Sequence, residues 1–203
     1  MTRVFQVGLL VAAAAVLAAR ADNPKPKADE SPIKAKLVAK KTTYTLDLGG
    51  QTAEEYKKAI KDSEKTGKPP AVPTVEMELE LTNTSGKDVQ FYDSGDPITV
   101  ELVLKGPGAM SVKPLVATTS DFRLPRAKTL AAGKSYTIKI SNLRYGFRGI
   151  AESAYWTEPG EYTLSAEFRT SIKPPPEGVK PDENGFGKVT LKSEPVKIKV
   201  EKK

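Results

Sequence analysis

Val75-Glu76-Met77-Glu78-Leu79-Glu80-Leu81 alternates apolar and acidic residues without interruption. A period of two marks a β-strand with one face in a core and the other in water. The pattern returns at Tyr44, Leu46 and Leu48, at Ile98, Val100, Leu102 and Leu104, and at Tyr136, Ile138 and Ile140. It returns again at Tyr162, Leu164, Ala166 and Phe168, and at Val196, Ile198 and Val200. Six such runs between turn residues predict an all-β chain, an antiparallel sandwich of about 7–9 strands. In that arrangement Lys139 falls near one of Glu76, Glu78 or Glu80, an exposed pair worth only ~0.2–1 kcal/mol.

One segment departs from the period. Thr52 and Glu55 have the spacing of a capping box, Ala53, Tyr56, Ala59 and Ile60 share a helical face, and Gly67 supplies a stop. A short amphipathic helix over 53–65 is expected between the first two strands, as a lid on one end of the sandwich. Turns are expected at Asn83-Thr84-Ser85-Gly86-Lys87-Asp88, at Ala131-Ala132-Gly133-Lys134 and at Pro159-Gly160. Residues 171–187 read as a long Pro/Gly loop, and Pro195 inside the last strand indicates an edge or a bulge.

The chain has 203 residues, no Cys and no His. Disulfides, thiol nucleophiles, imidazole or thiolate metal sites and His-based triads are therefore out of reach. Residues 1–21 have Arg3, an apolar run from Val7 to Ala19 and the small-x-small end Ala19-Arg20-Ala21, the grammar of a cleaved signal peptide. The run of 13 residues is shorter than the ~18–20 a spanning helix needs. A secreted or periplasmic protein beginning at Asp22 is expected, with no membrane insertion after cleavage and a flexible tether over 22–32. Losing Arg3 and Arg20 lowers the net charge from +7 to +5. The basic residues are mostly Lys spread along the chain, as in Val196-Lys197-Ile198-Lys199-Val200, which marks a solvated strand face and no nucleic-acid site. A single domain is expected over 33–201, as a monomer.

Trp156-Thr157-Glu158-Pro159-Gly160-Glu161-Tyr162-Thr163-Leu164 resembles the approach to strand F of immunoglobulin-like sandwiches. The resemblance implies that the Tyr162 hydroxyl bonds back to the preceding corner. Leu164 stands where antibody domains carry their second disulfide Cys, and Trp156 precedes strand F where theirs lies on strand C. A second resemblance runs through Leu81–Phe91, Ala132-Gly133-Lys134-Ser135 and Pro159–Leu164, which are similar in order to the BsuPI-type proteinase-inhibitor family. It implies a secreted proteinase inhibitor as an alternative function. The stretch 105–130 has no counterpart, so no inhibitory residue is carried over.

Motifs for chemistry are incomplete. Gly133-Lys134-Ser135 lacks the leading glycine of a phosphate loop, which Lys128 replaces. Ser31-Pro32-Ile33-Lys34 has a Ser–Lys spacing but sits in the tether. Glu152, Glu158 and Glu161 near Trp156 could serve a carboxylate-dependent glycan-active protein, the second alternative. Asp93-Ser94-Gly95-Asp96 and Asp182-Glu183-Asn184-Gly185 read as turns ahead of calcium loops. No catalytic residue, cofactor or metal is assigned, and the chain is expected not to be an enzyme. The expected role is a binding module whose end loops contact a protein or glycan of the envelope or extracellular space. Its candidate contacts are Arg144, Tyr145, Phe147 and Arg148, and Pro174, Pro175, Pro176 and Phe186. The competing role for Tyr145 and Phe147 is to plug the sandwich end under the helix.

Overall fold

The computed structural model describes residues 31–113, 122–146 and 151–203. In chain order, β1 (Ile33–Ala39) and β2 (Thr43–Leu46) precede α1 (Ala53–Thr66), and β3 (Thr74–Asn83), β4 (Val89–Ser94), β5 (Thr99–Lys105) and β6 (Ala109–Val112) follow. Then come β7 (Arg126–Leu130), β8 (Ser135–Asn142), β9 (Arg144–Tyr145), β10 (Glu152–Trp156), β11 (Gly160–Lys173), β12 (Gly187–Lys192) and β13 (Val196–Lys202). One sheet has the order β1-β3-β8, and a second runs β2-β13-β11-β4-β7 with β5 and β12 also paired to β11. A small third sheet has the order β6-β10-β9. The fold is an immunoglobulin-like β-sandwich.

The apolar positions of the alternating runs form one core between the two larger sheets. Leu79 and Leu81 of β3 meet Phe91, Leu164, Phe168 and Ile172 there, all at most 1% exposed. Burying each such side chain favours folding by ~1.5–3 kcal/mol. Glu76, Glu78 and Glu80 lie on the opposite face, and Glu78 stands directly across from Lys139 in the β3–β8 register, as expected. The shortest ion pair of Glu78 is nevertheless with Lys40, at 2.9 Å.

Three expectations are corrected. The helix lies between β2 and β3, because β1 precedes them in the strand order. The β1 sequence, IKAKLVA, alternates through small alanines and lacks a strong apolar stripe. The sandwich is not wholly antiparallel: β2 runs parallel to β13. The chain leaves the first sheet after Ala39 and joins the second without reversing. Lys40 donates its N–H to Glu76 in β3, while the Thr42 carbonyl accepts from Lys199 in β13. Finally, thirteen strands are present among the described residues. The two strands flanking β11 are each split, and the third sheet adds β6, β9 and β10.

The helix forms as its sequence dictates. The Thr52 hydroxyl accepts the Glu55 N–H, the Glu55 carboxylate accepts the Thr52 N–H, and Gly67 closes the helix in the left-handed region at φ 66°. Tyr56 and Ile60 pack with Val112 and Tyr155 as a second small core against the third sheet. Strand β10 is buried on both faces, with Ala154 and Trp156 in the main core and Tyr155 under the helix.

The corner before β11 matches the immunoglobulin-like resemblance. The Tyr162 hydroxyl reaches the Glu158 carbonyl at 2.7 Å and also lies against the Pro107 carbonyl. At the other end of the sandwich, fully buried Asn83 organises the turns. Its amide nitrogen donates to the Lys87 and Leu130 carbonyls at 2.8 Å each, and its amide oxygen accepts from the Ser85 N–H and hydroxyl. Its main chain adds bonds to Lys134 and Gly133. A buried amide with every polar group engaged fixes the geometry of the turns it joins.

Candidate functional site

The fourteen-residue strand β11 is the spine of the site, flanked on each side by a strand broken near a proline. On one side β12 pairs with 167–172 and β13 with 160–164. Between them lies Pro195, which has no N–H to give to a ladder. Ser193 bridges the gap: its N–H donates to the Ala166 carbonyl, and its hydroxyl accepts the Ala166 N–H at 2.9 Å. On the other side β5 pairs with 163–169 and β4 only with Ile172 and Lys173. The chain between them, Gly95-Asp96-Pro97-Ile98, does not pair with β11, and beside it Thr170 donates its hydroxyl to the Tyr92 carbonyl of β4 at 2.7 Å.

This second break holds another segment. Asp96 donates its N–H to the Arg123 carbonyl and accepts the Arg123 N–H on its carboxylate, both at 2.9 Å. Gly95 has φ 100°, and a Cβ there would come within 2.5 Å of Pro125 and 2.6 Å of the Leu124 carbonyl. Only glycine allows so close an approach. The result is a segment 122–125 docked on the kink, with Phe122 65% and Leu124 79% exposed. A third exposed large apolar side chain, Val103, lies on β5, and these are the three such residues among those described.

Between the kink, the docked segment and the sheet lies a groove of about 550 Å³. Its floor is the outer face of the sheet, where Arg169 stands opposite Thr190 and Ser171 opposite Lys188. Glu101 and Glu167 oppose each other in register, a repulsive placement that neighbouring cations relieve. Arg169 pairs with Glu101 at 2.8 Å and Lys192 with Glu167 at 2.9 Å. The walls are Pro97, Ile98, Phe122 and Pro125, with Tyr92 at one end. Burial and then the Asp182 carboxylate raise the Tyr92 hydroxyl above its ordinary pKa.

The structure distributes the sequence-predicted contacts unevenly. Arg144 is exposed on β9, and Tyr145 beside it is half-buried against the main core, not under the helix. Burial and then the Glu152 carboxylate raise the Tyr145 hydroxyl, with Glu101 of the groove floor adding to the effect. Phe147 and Arg148 lie outside the described residues. The Gly146 N–H donates to the Val100 carbonyl in β5, which ties the end of β9 to that strand.

The expected 171–187 loop is shorter, because β11 continues to Lys173 and Gly187 pairs with Ile172. Pro174 is exposed, and Pro175 and Pro176 are half-buried. Phe186 is a corrected assignment: at 6% exposure its ring is stacked on Tyr92 at 4.2 Å, so it anchors the loop and offers no contact surface. Asp182 works within the same loop, accepting the N–H groups of Asn184 and Phe186 at 2.9 Å each. Asp93 of the other candidate calcium turn faces the Tyr136 hydroxyl and Lys128.

The acidic cluster does not form an open sugar-stacking site. Trp156 is buried against Tyr44 at 5.4 Å, and Glu158 is paired with Lys57 at 2.8 Å. A further cavity of about 910 Å³ lies between β2, α1 and the Pro69–Pro73 stretch. Its tyrosines are committed inward: Tyr44 donates to the Lys41 carbonyl and Tyr56 to that of Ala71.

Sequence reasoning missed Phe122, Leu124, Arg169 and Lys188. The available signal was a pair of bulky apolar residues in a stretch with no strand period, followed by Pro125.

No family model and no curated protein sequence matches the chain, so the BsuPI-type resemblance gains no support. Among solved structures the chain is similar to the ASH/PapD-like domain 7 of human CEP192, at 15% identity over 97% of this chain and 98% of that one, with a TM-score of 0.28. The immunoglobulin-like assignment stands on strand order, register and the tyrosine corner.

Proposed function

We propose that this chain is a secreted or periplasmic, non-enzymatic interaction module whose contact surface is the groove on the outer face around β5, β11 and β12. The observation that carries this reading is the exposure of Phe122 and Leu124 on a segment the fold holds in place. Adjacent bulky apolar side chains held in water mark surfaces that partners cover, and aromatic and Arg residues dominate the binding energy of such surfaces. Arg169 on the floor adds a directional hydrogen-bonding group. The export part of the reading rests on residues 1–21.

The test is a pull-down from envelope and extracellular extract with the mature chain, a Phe122→Ser/Leu124→Ser variant and an Arg144→Ala variant. A partner kept by wild type and Arg144→Ala but lost by the double variant is the expected result. Retention by all three would remove the groove from the account. Should the captured partner be a protease that the chain inhibits, the alternative function takes precedence.

A further inference from the structure

The cavity of about 910 Å³ between β2, α1 and the Pro69–Pro73 stretch shares no lining residue with the groove. Its volume is within the ~300–1,000 Å³ of ligand-binding clefts. Its walls are fixed from within. The Pro70 carbonyl accepts the Tyr155 hydroxyl at 3.1 Å, that of Ala71 the Tyr56 hydroxyl at 3.3 Å, and that of Pro73 the Leu143 N–H at 3.0 Å. In the wall before α1 the Gln51 N–H bonds the Leu48 carbonyl, and the capping box at Thr52 follows at once. A cleft built this way is formed before a ligand arrives, so binding costs little reorganisation.

The lining has an apolar and a cationic part. Tyr44, Tyr56, Trp156, Leu48 and Val72 make the first. Both tyrosines already donate their hydroxyls to main-chain carbonyls, so their rings offer apolar contact and no free donor. The second is Lys41, Lys68 and Lys203, set against one carboxylate, Asp47. None of these three lysines has an ion-pair partner among the described residues. Leaving aside Lys203, last in the sequence, two ammonium groups still outnumber the one carboxylate. The Lys41 ammonium stands 5.5 Å from the centre of the Tyr44 ring, so the two parts adjoin. Lysines attract a carboxylate or phosphate as point charges, without the two-pronged geometry that arginine imposes.

We propose that this cavity binds a small amphiphilic anion. Its apolar body lies against Tyr44, Leu48 and Val72, and its carboxylate or phosphate is held by Lys41, with Lys68 adding to the attraction. A carboxylic acid and a lipid-type phosphate ester are two sources of the same chemistry. An amphiphilic cation would meet net repulsion, and a small inorganic anion would leave the apolar lining in water.

The experiment titrates the full chain with octanoate and with octyl phosphate. It is read by the emission of Trp156, the one Trp of the chain and part of the lining. Octylammonium serves as the cation, and acetate as the anion without an apolar body. Calorimetry with the same probes covers a bound anion that leaves the emission unchanged. One or both of the octyl-chain anions should bind saturably, and octylammonium and acetate should not. Tighter octanoate assigns the carboxylate, and tighter octyl phosphate the phosphate ester. Lys41→Gln/Lys68→Gln should weaken binding ~tenfold or more, as expected for charge-assisted contacts. Lys41→Arg/Lys68→Arg should keep most of it, and Phe122→Ser/Leu124→Ser should leave it unchanged. Both lysines are exposed, and a far-UV spectrum checks that each variant is folded. Equal binding of octylammonium, affinity indifferent to the lysine pair, or no saturable binding of either octyl-chain anion overturns the proposal. Those outcomes leave the groove untouched, since its test is the captured partner. Loss of anion binding in Phe122→Ser/Leu124→Ser would move the anion to the groove and overturn the cavity site.

Discussion

The two sides of β11 meet the same difficulty and resolve it differently. Each flanking strand is interrupted near a proline, Pro195 between β12 and β13 and Pro97 between β4 and β5. At the first break Ser193 folds inward and restores both missing bonds to Ala166, so the sheet stays closed and its surface continuous. At the second, Gly95 and Asp96 turn outward and hold residues 122–125, which raises a wall and creates a groove. A proline break in a strand is thus not itself a functional feature. It becomes one when the displaced backbone is given something to hold.

That contrast can be broken most forcefully at Gly95. Gly95→Ala places a methyl group 2.5 Å from Pro125 in a left-handed conformation. It should cost about 3 kcal/mol in denaturant unfolding or release residues 122–125, seen as faster hydrogen exchange there. Ser193→Ala is the matching change on the other side. It leaves the Ala166 N–H buried without an acceptor and should cost about 1–3 kcal/mol, with no effect on partner binding. Destabilisation by Ser193→Ala equal to that of Gly95→Ala, together with loss of binding, would erase the distinction between the breaks.

A region that neither break touches supplies the control. Burial pushes the Tyr56 hydroxyl, in the small core under the helix, up to about 12. A raised tyrosine pKa means the folded state favours the neutral form. Its contribution is therefore whole below pH 10 and is lost as pH climbs from 10 towards 12. Far-UV and near-UV spectra recorded through that window should show helix loosening, and Tyr56→Phe should flatten the pH dependence. The smallest effect is expected on the groove floor. A double-mutant cycle with Glu101→Gln and Arg169→Met should give ~0.2–1 kcal/mol of coupling that shrinks with salt. A partner lost on mutating this pair would then be lost for reasons of recognition, not of folding.

Much of the sandwich was legible because burial on one face writes a period of two into the sequence, as at Val75–Leu81 and Tyr162–Phe168. The helix was legible to within a residue because Thr52, Glu55 and Gly67 each have a single local role. Strand β10 was not, since Glu152-Ser153-Ala154-Tyr155-Trp156 is buried on both faces and shows no alternation. The groove was hidden for another reason. Its wall depends on bonds between Asp96 and Arg123, 27 residues apart and in no repeating pattern. Phe186 illustrates the reverse error: an apolar residue in a Pro/Gly loop looks available until its stacking on Tyr92 is seen. Lys188 was read only as one of many solvated lysines, because its place on the groove floor depends on the pairing of β12 with β11.

The central claim is that the outward break exists to build a contact surface. The most direct measurement is hydrogen exchange of the full chain with and without the partner captured by wild type. Protection confined to residues 96–101, 122–126, 169–171 and 188–190 is the expected footprint. Protection that falls on α1 and Pro69–Pro73, with the groove unchanged, would contradict it.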